Sequence, residues 1–578
     1  MKTAPAVILL LVLAAGLAAQ GQPEIEDEQA ASDYAEYLAF MMENPVNLNH
    51  AGLEQLMGLP GLAPYQALKL YRYLKSHPGV SQPYQLEADS VLSLAVLESI
   101  RPYICFDARD GARPERLRSS TRLQRRMPGS PELADGTYSG SPWDSRFRCW
   151  LRPFPGGEAF IQFQHDPGEP DWADYQSGCF SFRSVDGRKK AVVGDYQVLI
   201  GQGLLMGGAS PMIFSSSVSH FPGLMAEVKP HYSSQESRGL RGAGFRQSLP
   251  GQLNLLGFLS RRRHDAKVDS QGQVLGFYDD GYHRSLAELA RKDAVREDIA
   301  GARLGWGGGS GAAAGLSCVF RRYDKDGSGM FAPWMASLDG GIGLGGLRLA
   351  GELAGGPERI AGYGVNSLFV SGDYSGRISL HGYSPGFLPP RFNGESYYGG
   401  EDERGGNIQA SWGRRRLNLA AAYNLFYPWQ PATISRHNSR GSRYEVRAGA
   451  RLIKGLDAEF RIRSQARELR QDLPEDPYYQ EERNSARSGL RWQAGRGLAL
   501  NCRYDTQYYR DSRQTERQRG ELLAAGFRAV LRGGLWLSGQ SVIYHVPDYR
   551  ARIYLTEPEL VSGGSFHEIG RASCRERV

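Results

Sequence analysis

A few stretches of this chain carry residue types at spacings that could do chemistry. Asp324-Lys325-Asp326-Gly327-Ser328-Gly329 opens like a calcium loop, with oxygen ligands at positions one, three and five and glycine at six. The twelfth position, which must supply a bidentate carboxylate, is Met335, so the stretch reads as a hairpin turn. Gly341-Ile342-Gly343-Leu344-Gly345-Gly346 matches a dinucleotide fingerprint by letter, but no strand–helix–strand unit surrounds it. Small residues in a β-wall account for it. The histidines are scattered, none at metal-ligand spacing, and His50 and His77 read as exposed polar residues. Arginine is more informative. Arg443, Arg447, Arg451, Arg461, Arg463, Arg491 and Arg503 recur on the polar parity of alternating segments, with Glu445, Glu459 and Asp505 among them. Such a wall is either ion-paired throughout or a basic lumen able to admit a polyanion. No acid–base pair, metal cluster or activated nucleophile stands in a supporting context, so the sequence predicts no enzyme and no cofactor.

Placing those arginines on one face requires strands. From about Arg146 the apolar pattern has period two: Leu456 to Arg463 alternates apolar and charged residues, and residues 444–452 and 498–505 repeat the alternation. In a strand the two sets lie on opposite faces. Similar runs, separated by Gly, Asp, Asn and Pro turns, continue to residues 535–544. Strands of about 9–11 residues with one apolar and one polar face are the signature of an outer-membrane barrel, here of roughly sixteen or more strands. Trp150, Tyr427, Trp429, Tyr508, Tyr509 and Tyr544 are expected to form interface girdles. A soluble periplasmic β-protein would leave long edges and wet apolar faces. Two stretches break the rhythm: the glycine-punctuated residues 195–205, and residues 282–291, where Ser285 and Glu288 are spaced as a helix capping box.

Ahead of the strands, residues 46–104 carry helical spacing. Leu53, Leu56 and Met57 share one face, and Leu68, Leu70, Tyr71 and Leu74 share the next. Pro60-Gly61 makes a turn, and Pro64 suits the first turn of the second helix. Together with Val46-Asn47-Leu48-Asn49-His50-Ala51, this run resembles the helix-hairpin-helix domain of the competence-type DNA-binding family, whose signature reads N-L-N-x-A, E-L, L-P-G-I-G. Ala63 stands where that family has its second glycine, and a degenerate second unit follows at 84–104. The resemblance implies sequence-independent binding of double-stranded DNA, in DNA uptake. A phosphate would sit on the hairpin backbone and helix start, which offer unpaired N–H groups and a positive dipole end. On this chain that edge is Gly61, Leu62 and Ala63, with Lys69, Arg72 and Lys75 on neighbouring phosphates. The same helices equally suit docking to an envelope protein partner in a structural or secretion-related barrel. A hairpin domain ahead of a large barrel is also similar to exported barrel proteins of Bacteroidetes-like genomes.

Lys2, the apolar run Val7 to Leu13 and the small residues Ala14 to Ala19 read as a secretory signal over residues 1–19. The helix-hairpin-helix domain is expected at 24–106, opened by an acidic-faced helix at 26–43, and a linker at 107–143. The transmembrane β-barrel then runs over 144–567 in the outer membrane, with the helical domain in the periplasm. Residues 568–578 read as a translated sequencing adapter, so the natural C-terminus is expected to be truncated. Six single cysteines, at 105, 149, 179, 318, 502 and 574, suggest neither a zinc site nor a disulfide framework. A net charge of +7 over 578 residues does not by itself require nucleic acid. The expected fold class is therefore a small all-α domain followed by a large all-β antiparallel outer-membrane barrel.

Overall fold

A computed structural model describes residues 45–49, 51–77, 79–82, 100–106, 116–125, 130–207, 224–234, 239–307, 311–325, 331–357, 360–392, 402–414, 416–429, 440–470, 478–494, 497–514, 516–530, 536–557 and 565–569, with a few single residues and pairs between them. The expected signal segment, the acidic helix and much of the degenerate second unit lie outside the described residues, as do 570–578.

Period-two alternation becomes one long antiparallel sheet. It opens with β3 (Leu117–Arg125), β4 (Trp143–Leu151), β5 (Gly157–His165), β6 (Tyr175–Arg183), β7 (Lys189–Gly201) and β8 (Met225–Pro230). Next come β9 (Leu240–Ser248), β10 (Leu253–Val268), β11 (Val274–Tyr278), β12 (Val295–Gly307), β13 (Ala313–Tyr323), β14 (Trp334–Leu344) and β15 (Leu347–Gly355). Then follow β16 (Ala361–Ser371), β17 (Tyr374–Tyr383), β18 (Glu403–Arg414), β19 (Leu417–Pro428) and β20 (Arg440–Ile453). The last are β21 (Leu456–Arg470), β22 (Tyr478–Gln493), β23 (Leu498–Asp511), β24 (Gln518–Val530) and β25 (Trp536–His545). The strand order closes into a barrel with β25 beside β3. Ladders are resolved all the way from β3 to β25, and among the described residues none is resolved across the β25–β3 seam. Strand β7 pairs with β9 up to Tyr196 and with β8 beyond it, while β10 pairs with β12 up to His264 and with β11 beyond it.

The barrel is inverted relative to a soluble protein. Ser317, Ser337, Asp339, Glu352, Asn366 and Arg377 are buried on the inner face, and Leu316, Leu338, Leu353, Val365 and Ile378 stand exposed on the outer one. Its two ends also differ. At one end neighbouring strands turn through pairs such as 345–346, 372–373 and 454–455; at the other they are joined by longer segments such as 279–294 and 384–402. The described parts of two connecting segments fold inward: Leu204, Leu205, Met206 and Phe387 are buried with Tyr196, Ile200, Met335 and Tyr383. The backbone N–H groups of Gln202 and Leu204 donate to the Glu352 carboxylate at 2.7 and 3.2 Å. Met206 and Arg391 form a β-bridge, with the Gly207 N–H donating to the Arg391 carbonyl at 2.8 Å.

Near the N-terminus, α1 (Leu53–Met57) and α2 (Pro64–Ser76) pack on one core that holds Leu56, Leu59, Leu62, Ala67 and Leu70. This unit is not all-α. Strands β1 (Val46–Asn47) and β2 (Ile104–Cys105) pair in parallel, a short ladder that joins the two flanks of the helical region. The expected boundaries also shift. β3 lies inside the stretch read as a linker, because Arg118, Ser119, Ser120, Thr121 and Arg122 give it no apolar alternation. The barrel therefore begins at Leu117 rather than 144, and its last strand ends at His545. Beyond it, β26 (Ile553–Glu557) and β27 (Ser565–Ile569) form a separate pair. The helix expected over 282–291 shrinks to α4 (Leu286–Leu289), its Ser285–Glu288 capping box intact, and α3 (Pro131–Ala134) precedes it in the chain.

Candidate functional site

The six residues expected to bind nucleic acid divide in two. Lys69, Arg72 and Lys75 are exposed on α2. Leu62 and Ala63 are instead buried, and Gly61 is half-buried in the turn with a φ of 81°. At the helix start the Ala63 N–H is already capped by the Gln66 side chain at 3.0 Å. Tyr65, in the first turn, is buried against the barrel wall. A Cβ placed on Gly413 of β18 would lie 1.9 Å from its hydroxyl, so only glycine leaves room there. Burial, and then the nearby Asp373 carboxylate, pushes the Tyr65 phenol well above its usual range. Leu368 and Val370 of β16 belong to the same core as the helices. The helix start thus faces the barrel's short-turn end.

The arginine wall is real and largely neutralised. Arg447 Nε donates to Glu445 Oε1 at 2.6 Å, and Arg463 Nε and Nη2 donate to Oε2 at 2.8 and 2.7 Å. Arg487 and Arg503 converge on Asp505, each at 2.6 Å. Arg443, Arg447, Arg461 and Arg463 are all buried on the inner face, whereas Arg491 is exposed. Two expected girdle residues also point inward: Trp150 is buried beside Phe160, and the Tyr509 hydroxyl donates to Glu481 at 2.8 Å. Tyr427, Trp429, Tyr508 and Tyr544 face out. Gly341 to Gly346 lie in β14 and its turn into β15, a wall position rather than a cofactor loop.

At the long-loop end stands a site the sequence reading missed. A cleft of about 550 Å³ is lined by Asp174, Glu236, Asp265, Asp279, His283, Lys292 and several arginines. His283 Nδ1 meets the Asp174 carboxylate, and its Nε2 lies 2.7 Å from Asp265 Oδ2. Lys292 pairs with the other Asp174 oxygen. The His283 N–H donates to Glu169 at 3.2 Å, and the Asp293 N–H donates to Asp265 Oδ1 at 2.8 Å. Burial opposes the imidazolium, but the hydrogen bonds to Asp174 and Asp265 outweigh it and raise His283 to about 10. Burial raises Glu236 to about 8 and Glu169 to about 7. Asp174 is also buried, yet its bonds from His283 and Lys292 hold it below the usual carboxylate value. Beside the cleft, the Arg284 guanidinium is stacked between Tyr138 and Tyr282, at 4.6 and 3.9 Å from the ring centres. The only sequence signal for this region was the break in strand rhythm at 282–291. His283 and Asp174 are 109 residues apart, so spacing alone does not pair them.

No protein-family model matches the chain, and no curated protein is similar to it. Among solved structures it is similar to Acinetobacter baumannii OccAB3, 11% identical over 74% of this chain and 98% of that one, with a TM-score of 0.29. It is also similar to Pseudomonas aeruginosa OpdQ, 10% identical over 74% and 96% of the two chains, TM-score 0.32. A BenF-like porin from Pseudomonas fluorescens Pf-5 is 11% identical over 73% and 97%, TM-score 0.28.

Proposed function

We propose that this chain is an outer-membrane β-barrel protein, not an enzyme, whose helix pair docks on the periplasmic mouth of its own barrel. One observation carries the reading: the outer face is apolar on strand after strand while the inner face is polar and buried. A water-soluble protein would not expose such a belt, and a lipid-facing barrel requires it. The asymmetry of the ends supports the orientation, since barrels of this kind keep short turns in the periplasm and long loops outside. The helix pair lies at the short-turn end, seated by Leu368, Val370 and the Tyr65–Gly413 contact. Among the described residues, many inward side chains from β10 to β21 are buried against one another.

Fractionation tests this directly. The mature protein is expected to need detergent and to migrate faster on gels unless heated. Cysteines placed at Asp279 and Lys69 report orientation through an impermeant maleimide in intact cells. Asp279→Cys should label at once, and Lys69→Cys only after the outer membrane is opened. A detergent-free soluble protein, or the reverse labelling order, overturns the proposal.

A second reading rests on the exposure of Lys69, Arg72 and Lys75 along one helix. In it, the helix pair holds double-stranded DNA in the periplasm through those cations, in DNA uptake. Few phosphates are then contacted, so log K falls by about 0.9 per contact as log salt rises. Titration of the detergent-purified chain with duplex DNA at two salt levels decides it. Binding abolished by Lys69→Glu with Arg72→Glu supports the reading. No binding at low salt removes it and leaves docking alone.

A further inference from the structure

We propose that the cleft at the long-loop end is a divalent transition-metal site whose protein ligands are His283 Nε2, Asp265 and Glu236. These three side chains come from separate segments: the end of β10, the loop after β8 and the loop before α4. Each offers a donor atom, and the three atoms lie within 4.8 Å of one another. The two ring nitrogens of His283 are not equivalent. On the Nδ1 side everything is already committed: Asp174 holds the nitrogen, Lys292 holds Asp174, and Glu169 takes the backbone N–H of His283 itself. A carboxylate on the far nitrogen fixes the tautomer and ring orientation of a metal-binding histidine and raises its basicity. Asp174 has that place.

On the Nε2 side the groups are available to a cation. Asp265 is tethered through Oδ1 to the Asp293 N–H, which leaves Oδ2 facing the imidazole. The Glu236 carboxylate accepts no hydrogen bond among the described residues, although it lines the cleft beside His283 and Asp265. A metal between Nε2 and Oδ2 replaces one proton and opens that 2.7 Å contact by about 0.5–0.7 Å to reach ordinary zinc–nitrogen and zinc–oxygen lengths. Pivoting Asp265 about its tether supplies that movement. Further coordination positions face the cleft, where water enters. One imidazole with two carboxylates suits Zn2+ or Mn2+; calcium prefers an all-oxygen set.

The test uses the full chain, purified in detergent and stripped with chelator, titrated with Zn2+, and separately with Ca2+, by calorimetry at neutral pH. One Zn2+ per chain is expected, with Ca2+ much weaker. Glu236→Gln and His283→Gln should each weaken Zn2+ at least tenfold, and Asp174→Asn by 10–100-fold through the loss of the outer partner. Asp186→Asn, exposed on the turn between β6 and β7 and away from the cleft, should bind as the parent does. Heat-modifiable migration on gels checks that each variant keeps its barrel. Any variant that fails this check is replaced by Glu236→Asp, expected to bind Zn2+ with altered affinity at unchanged stoichiometry. Saturable Zn2+ binding unchanged in both Glu236→Gln and His283→Gln overturns the assignment. So does the absence of saturable binding in the parent chain.

Discussion

At the short-turn end, Leu62 and Leu70 of the helical unit share an apolar core with Leu368 and Val370 of the barrel wall. At the long-loop end, loops meet instead through His283, Asp174, Asp265 and Lys292, and through Arg284 between two tyrosines. Apolar contact is non-directional and nearly indifferent to pH and salt, so it suits a seal. A buried polar cluster depends on every member being satisfied, so it suits a part that responds to protons or ions. The two ends are thus held by different physics, an apolar core at one and a charged cluster at the other.

The largest expected effect breaks the apolar end. Leu368 is fully buried, and Leu368→Asp places an unpaired charge in that core at a cost of about 3–5 kcal/mol. Limited proteolysis should then release the helical region while the barrel survives. Unchanged cleavage would mean that the seat is not apolar. At the long-loop end, His283→Ala strips the buried Asp174 carboxylate and the half-buried Asp265 carboxylate of a charged partner, at about 2–4 kcal/mol felt locally. Hydrogen exchange should rise in residues 279–294 and 166–174 and stay flat around α2.

The same histidine gives that end a pH dependence in chelator-treated protein. Its folded-state value, about 10, lies above the ordinary 6.5, so its stabilisation is complete below pH 6.5 and is lost as pH rises through about 10. Glu169, Glu236, Asp174, Asp265 and Lys292 face it from the neighbouring segments, and of these Glu169 at about 7 and Glu236 at about 8, both raised by burial, ionise within that range. Protection of residues 166–174 and 279–294 should fall over that range, with the helical seat unaffected. Equal loss at both ends would erase the contrast.

Smaller effects sharpen it. Gly61 sits at a φ of 81°, so Gly61→Val forces a β-branched residue into left-handed backbone at about 1–3 kcal/mol. Thermal melting of the helical signal should drop without change in residues 279–294. Smallest of all, Lys69→Glu with Arg72→Glu touches only exposed side chains and should move stability by no more than about 0.5 kcal/mol. A larger shift would mean that these cations hold the helix to the wall.

Local patterns were legible in the sequence and long-range meetings were not. Residues 456–463 announced β21 because both faces are extreme: Phe460 and Ile462 outside, Arg461 and Arg463 inside. The helix pair was equally readable, its turn and apolar stripes lying within one short run. β3 was hidden, since only Leu117 and Leu123 interrupt its polar residues. Which way an aromatic residue points at a strand end was also hidden: Trp150 and Tyr509 satisfy the girdle pattern yet face inward. The cleft was beyond reach. Asp174, Glu236, Asp265 and His283 sit on four separate segments, and only the strand order brings them to one place.

The bridge between Met206 and Arg391 has a mechanical consequence. Two infolded stretches, 202–207 and 384–392, are tied to each other through main-chain hydrogen bonds, and Arg391 is moored in turn to Glu297 on the wall at 2.9 Å. A pull on one stretch is therefore passed to the other through those bonds, and on to the wall through Glu297.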